Sequence, residues 1–72
     1  MKIKYVLCLN NDGYEVSLER FKVYKSISDA AALKRNQIRI IDESGEDYFY
    51  PENKFTPVEL SQSIKKVLAS AY

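Results

Sequence analysis

Apolar and polar positions alternate with a period of two over several short stretches of this chain, and shift to a helical period only near its end. A period of two sends successive side chains to opposite faces of a strand, whereas a 3.6 period stacks them on one helix face. In IKYVLCLNN, residues 3–11, Ile3, Tyr5, Leu7 and Leu9 share one face and Val6 and Cys8 the other. This predicts a strand buried in part on both sides. NNDG, residues 10–13, is turn punctuation, with Gly13 able to take a positive φ. Tyr14, Val16 and Leu18 alternate next, and then Val23, Lys25 and Ile27 against Phe21 and Tyr24. The expectation is an irregular loop to about Arg20 and a strand from Lys22 to Ser28.

DAAALKRNQ, residues 29–37, carries Asp29 in position to cap one helical turn over Ala30 to Leu33. So short a segment does not hold a helix by itself, so a loop or a single turn is expected. IRII and DYFY are β-rich runs separated by polar residues around Ser44-Gly45, the signature of a hairpin. FTPVEL reads as a short last strand, which Pro57 confines to an edge or a strand end because it lacks an N–H. In SQSIKKVLASAY, Ile64, Val67, Leu68 and Ala71 fall at i, i+3, i+4 and i+7, a one-sided stripe that predicts a helix over about 61–71. Ser61 or Ser63 is placed to cap it. TPVE would also start a helix at Thr56, as a capping box with proline at its first position. The stripe is single-faced only from Ile64 onward, which favours the strand.

A chain of 72 residues is a single domain at most, here 1–72. At this size folding buries only about 60% of the unfolded chain's surface, so large side chains must be used efficiently. Six tyrosines and three phenylalanines meet that need. Eleven basic residues stand against ten acidic ones. The balance argues against a dedicated nucleic-acid binder and gives little long-range steering. Cys8 is the one cysteine, so no internal disulfide forms and a cytoplasmic setting is expected. The apolar run Tyr5–Leu9 is too short for a secretory h-region of roughly 7–15 residues, and nothing approaches the roughly 20 apolar residues of a membrane span.

Several short strands, an irregular first loop and a terminal helix suggest a small twisted barrel. GEDYFYPENKF resembles the segment that ends an SH3 domain, where a hairpin strand meets a proline, makes one 3₁₀ turn and reaches an aromatic that starts the last strand. Gly45, Tyr50, Pro51 and Phe55 take those places. LERFKVYKSI likewise resembles the diverging turn and second strand of that fold. The resemblance covers about residues 3–60 and is closest to small SH3-like proteins of bacteria. It implies a mainly β fold: an SH3-like small barrel of about five strands, here followed by the C-terminal α-helix packed against or beside it. The stripe of Ile64, Val67 and Leu68 covers the barrel's open end or docks a partner, and packing within the molecule is expected because an exposed stripe invites aggregation. The chain departs from the eukaryotic pattern in having no tryptophan, the groove residue most associated with polyproline recognition, and no readable acidic-aromatic opening motif.

The absence of histidine removes the commonest general base and the commonest transition-metal ligand. A single cysteine builds no zinc site. Two glycines make no phosphate-cradling loop. DESGED, residues 42–47, holds four carboxylates, open to three readings: a solvated hairpin tip, a weak Ca²⁺ or Mg²⁺ site, or a patch that selects basic partners. Arg20, Lys22, Lys25, Lys34, Arg35 and Arg39, with Tyr24 to stack a base, would suit single-stranded nucleic acid, or are ordinary surface cations. The aromatics Tyr48, Phe49, Tyr50 and Phe55 serve either the core or a docking surface. The resemblance turns Tyr50 inward and leaves Phe49 more exposed. The expectation is a non-catalytic protein- or peptide-binding module, a small subunit or regulator, with a nucleic-acid-binding barrel as the alternative. It needs no cofactor, metal or membrane. Its binding residues are expected among Tyr14, Glu46, Asp47, Tyr48, Phe49, Tyr50, Pro51 and Phe55.

Overall fold

Five of the period-two and β-rich runs of the sequence become strands, whereas the alternation over residues 14–18 stays in a loop. A computed structural model describes residues 3–71. The strands are β1 (Ile3–Cys8), β2 (Val23–Ile27), β3 (Gln37–Ile41), β4 (Asp47–Pro51) and β5 (Phe55–Pro57). A short helix α1 (Ala30–Lys34) joins β2 to β3, and a 3₁₀ turn (Glu52–Lys54) joins β4 to β5. Helix α2 (Gln62–Ala71) follows. Gly13 and Gly45 take φ of 86° and 83°, as their turns require.

The strands form one antiparallel sheet in the order β4-β3-β2-β1-β5. Val6 lies opposite Tyr24, Cys8 opposite Phe55, and Ile38 opposite Tyr50, so these side chains share the inner face. In a flat sheet β4 and β5 would stand roughly 19 Å apart, four strand spacings. The rings of Tyr50 on β4 and Phe55 on β5 are instead 6.2 Å apart. The sheet therefore curls over its inner face. No ladder joins β4 to β5 among the described residues, so the expected barrel is not closed. The short 3₁₀ turn brings the two edges together without pairing them.

The core is the inner face: Val6, Cys8, Tyr24, Ile40, Tyr50 and Phe55 are buried. Leu18 joins them from the loop over residues 9–22 and is fully buried, whereas Val16 stands almost wholly in solvent. The alternation of Tyr14, Val16 and Leu18 thus forms no strand, and only its outer members turn toward the core. Asn11 Nδ2 donates to the Leu18 carbonyl at 3.0 Å and fixes the loop's return. At its end Phe21 takes φ of 66°, a left-handed conformation, while its N–H donates to the Cys8 carbonyl at 2.7 Å. Phe21 is exposed, and the Arg20 guanidinium sits 4.4 Å from its ring centroid.

Asp29 caps α1 as expected, its carboxylate accepting from the Ala32 N–H at 3.0 Å. Ser61 caps α2 through the Ile64 N–H at 3.3 Å. The apolar stripe of α2 departs from expectation. Ile64 and Val67 are 50% and 67% exposed, so the helix does not bury its stripe against the sheet. The Val58 N–H donates to the Tyr5 carbonyl at 3.1 Å, and Ile3, Tyr5, Val58, Leu60 and Lys65 line a cleft where the chain leaves β5 for the helix. Ala71, the last member of the expected stripe, lies outside the described side chains.

The strained backbone at Phe21 gives a test that needs no knowledge of function. Phe21→Gly and Phe21→Ala lose the same ring, but only alanine keeps a Cβ in the left-handed region. The glycine variant is expected to be more stable by about 1 kcal/mol in urea denaturation. Equal stability, or a more stable alanine variant, would contradict the conformation.

Candidate functional site

The residues singled out by sequence fall into two groups on the fold. Tyr50 and Phe55 are buried, and Tyr14 packs edge-on against Tyr50 with ring centroids 5.0 Å apart. Lys54 Nζ lies 5.4 Å from the Tyr14 ring and donates to the Asp12 carbonyl at 3.0 Å, so Tyr14 is held from both sides. These three rings belong to the core and its wall. Tyr48, Phe49, Glu46 and Asp47 are exposed, and Pro51 is half-buried. Tyr48 shares the inward parity of Tyr50, yet it stands half in solvent at the end of β4 nearest the hairpin turn. Its hydroxyl donates to Glu46 at 2.7 Å, and the Arg35 guanidinium stands 5.8 Å from the Phe49 ring.

At this end the core is sealed by hydrogen bonds. A buried tyrosine needs a partner for its hydroxyl, because an unpaired buried polar group costs about 1–3 kcal/mol. The Tyr50 hydroxyl donates to Asp42 at 2.6 Å and lies 2.9 Å from Ser17 Oγ. The Tyr24 hydroxyl donates to Glu43 at 2.5 Å and accepts from the Glu19 N–H at 2.7 Å. The Glu43 N–H donates to the Ser17 carbonyl at 3.1 Å. Two buried tyrosines thus tie the 9–22 loop to the β3–β4 turn.

The four carboxylates of DESGED are consequently occupied. Asp42 is buried and also accepts from the Ser44 N–H and hydroxyl at 2.9 and 2.5 Å. Burial pushes its carboxyl up, but the Ser44 and Tyr50 donors outweigh this and hold it below the usual range. Glu43 binds Lys22 at 2.6 Å as well as Tyr24, and both hold its carboxyl down. Asp47 binds Arg39 at 2.5 Å, and Glu46 binds Tyr48. The stretch is a bonded turn with a partner for every acid, and its residues 43–47 stay exposed at the tip. Burial and the Asp42 carboxylate push Tyr50 up to about 12. Among the described residues no group of three or more Cys, Asp or Glu is gathered to hold a metal ion.

Opposite the sealed end the inner face is open. A cavity of about 710 Å³ lies between α1, the 3₁₀ turn and the ends of β1 and β5. Val6, Ile38 and Phe55 form its floor, and Leu33 and Pro57 stand on its walls. Lys4, Asp29, Arg39 and Glu52 surround it. The size and apolar lining are those of ligand- and peptide-binding clefts. Of the residues expected to bind, Phe55 alone reaches it. Leu33, Ile38 and Pro57 were missed because the groove is assembled from both ends of the chain. The one local signal was Leu33, half exposed at the end of an otherwise small-residue turn.

Tyr24 is fully buried, so it offers no face to a nucleic-acid base. Arg39 is engaged by Asp29 and Asp47, and Lys22 by Glu43 and Glu19. Of the cations grouped by sequence, Lys22 and Arg39 are thus paired with acids, and Tyr24 is not an exposed ring among them. Cys8 is fully buried, and burial pushes its thiol up, away from the reactive thiolate. No helix among the described residues is long and apolar enough to cross a membrane. Compared with known proteins, the chain matches no family model, no curated protein and no solved structure.

The sealed end sets the response to acid. Asp42 and Glu43 have folded pKa values below their unfolded ones of about 3.9 and 4.3. Their contribution is complete above those unfolded values and is lost as pH falls through the folded ones. Urea denaturation is expected to show stability falling below about pH 4. Asp42→Asn is expected to be about 1–3 kcal/mol less stable at pH 7 and to lose less on acidification. Parallel acid profiles for the two proteins would contradict this.

Proposed function

We propose that the chain is a non-catalytic protein-binding module, an SH3-like domain that takes a short apolar segment of a partner in the groove between α1 and the 3₁₀ turn. The observation that carries this reading is the groove itself. A domain with so small a core leaves Val6, Ile38 and Phe55 as the floor of an open cavity, without capping it with a side chain of its own. Apolar surface left concave and rimmed by charge is the form in which binding sites occur. The strand order, the long loop after β1 and the 3₁₀ turn between the edge strands support the SH3-like assignment. The role of a small subunit or regulator fits a domain whose carboxylates are bonded into its own turn and whose thiol is buried.

The exposed pair Tyr48 and Phe49 lies on an edge strand. Asp47 and Pro51 at its two ends discourage the addition of a further strand, by charge and by the missing N–H. The groove is thus the better-formed docking surface.

Selection of displayed peptides against the folded domain tests the reading. Binders are expected to carry apolar anchors and to lose at least tenfold in affinity, about 1.4 kcal/mol, for Leu33→Asp. Tyr48→Ala and Phe49→Ala are expected to bind within about twofold of the parent. Binders that ignore Leu33→Asp but fail with Phe49→Ala would move the site to the β4 edge and overturn the proposal.

A further inference from the structure

Ser26 and Asp42 are the buried polar residues of the described chain, and only Asp42 is bonded. Ser26 is 7% exposed, and its side chain makes no hydrogen bond among the described residues. Every side-chain polar atom shut away from solvent there has a partner, so the Ser26 hydroxyl is open to the groove that Ser26 lines. Lys4 lies opposite Ser26 on the β1–β2 ladder, on the same inner face, and also lines the groove. We propose that this pair and the apolar floor take the free C-terminus of a partner chain. The terminal carboxylate accepts from Lys4 Nζ and the Ser26 hydroxyl, and the last apolar side chain lies on Val6, Ile38 and Phe55. The inference rests on the groove being a docking site and names the segment that fills it.

Pairing sorts the charges around the groove. Arg39 is bound by Asp29 and Asp47, and Asp29 also caps α1. Lys4 and Glu52 are left, one of each sign, and neither has an ion-pair partner among the described residues. A rim balanced in this way fits a segment that carries an anion at one end and a cation further along. The anion belongs with Lys4, because the unpartnered hydroxyl stands beside it. An ammonium and a hydroxyl together supply a donor for each oxygen of a carboxylate. Glu52, on the 3₁₀ turn, is then free to take a lysine or arginine upstream in the partner chain.

A chain end suits the site better than an internal acidic side chain. Ser26 lies on β2, the central strand of the sheet, so a group that reaches its hydroxyl comes in from the open side of the groove. A terminal carboxylate does this with one run of backbone behind it. An internal acid brings backbone on both sides into a cavity of about 710 Å³, the size that a drug-sized ligand fills. The apolar floor supplies contact area, and the few polar groups fix direction, as in other specific pockets.

Fluorescence anisotropy on the full chain with labelled hexapeptides tests the assignment. The peptides end in leucine, isoleucine, valine or phenylalanine, carry lysine or arginine at a varied upstream position, and are made both as free acids and as C-terminal amides. The tightest free acid is expected to lose about tenfold in affinity on amidation, and about as much with Lys4→Gln. Amidation then costs little more against the Lys4→Gln protein. Ser26→Ala weakens binding by about threefold, yet its urea stability matches or exceeds the parent's because the free protein loses no bond. Glu52→Gln weakens only peptides with a basic residue upstream. Far-UV circular dichroism verifies that the variants stay folded. Amides that bind as well as free acids, or binding indifferent to Lys4→Gln, overturn the proposal. Dodecanoate that binds through Lys4 more tightly than any peptide gives the site to a lipid carboxylate and overturns it too. Peptides that bind in a Leu33-dependent way but ignore amidation fail the chain end alone. A chain that binds no peptide in either form fails the groove as well.

Discussion

The hydrogen bond from the Tyr50 hydroxyl to the buried Asp42 carboxylate, 2.6 Å long, is the contact on which the rest of this small fold depends. The chain fills its core with tyrosines, and a tyrosine brings an O–H that cannot be left bare inside. Asp42 answers Tyr50, Glu43 answers Tyr24, and the acids stay in place because Ser44, Lys22 and the turn at Gly45 hold them. The same hydroxyls reach Ser17 and the Glu19 N–H, so the long first loop is closed over the core by the groups that satisfy the tyrosines. One requirement of polar chemistry thereby fixes a loop, a hairpin turn and one end of the core.

The other end follows by contrast. No tyrosine hydroxyl from the inner face reaches that way, and the space between α1 and the 3₁₀ turn is left open over Val6, Ile38 and Phe55. A chain of this length has a limited supply of large side chains. Tyr14, Tyr24 and Tyr50 are committed to the sealed end, Phe55 meets Tyr24 and Tyr50 edge to face while flooring the groove, and Phe21, Tyr48 and Phe49 stand exposed. The groove is thus a consequence of how the aromatics are spent. The proposed binding role draws on that surface.

The strands were legible because they are local. Val6 and Cys8 against Tyr5 and Leu7 show a pleat by alternation alone, and Asp29 before three alanines shows a capped turn. The inward direction of Tyr50 was legible through the SH3-like pattern of a tyrosine before a proline. Three features were not. The acids of DESGED looked free because their partners, Lys22, Tyr24 and Arg39, lie elsewhere in the sequence and meet them only when the sheet forms. The groove was invisible because its floor joins residue 6 to residues 38 and 55. The stripe of α2 was expected to pack on the sheet, and sequence periodicity identifies an apolar face without saying what covers it.

A double-mutant cycle at Asp42 and Tyr50 tests the central claim most directly. Urea denaturation at pH 7 of the parent, Asp42→Asn, Tyr50→Phe and the double variant gives the coupling between the two groups. A buried hydrogen bond to a charged acceptor predicts a coupling of about 1.5–3 kcal/mol. Additivity within about 0.5 kcal/mol would show that the two groups do not depend on each other, and would contradict this account of how the domain is held closed.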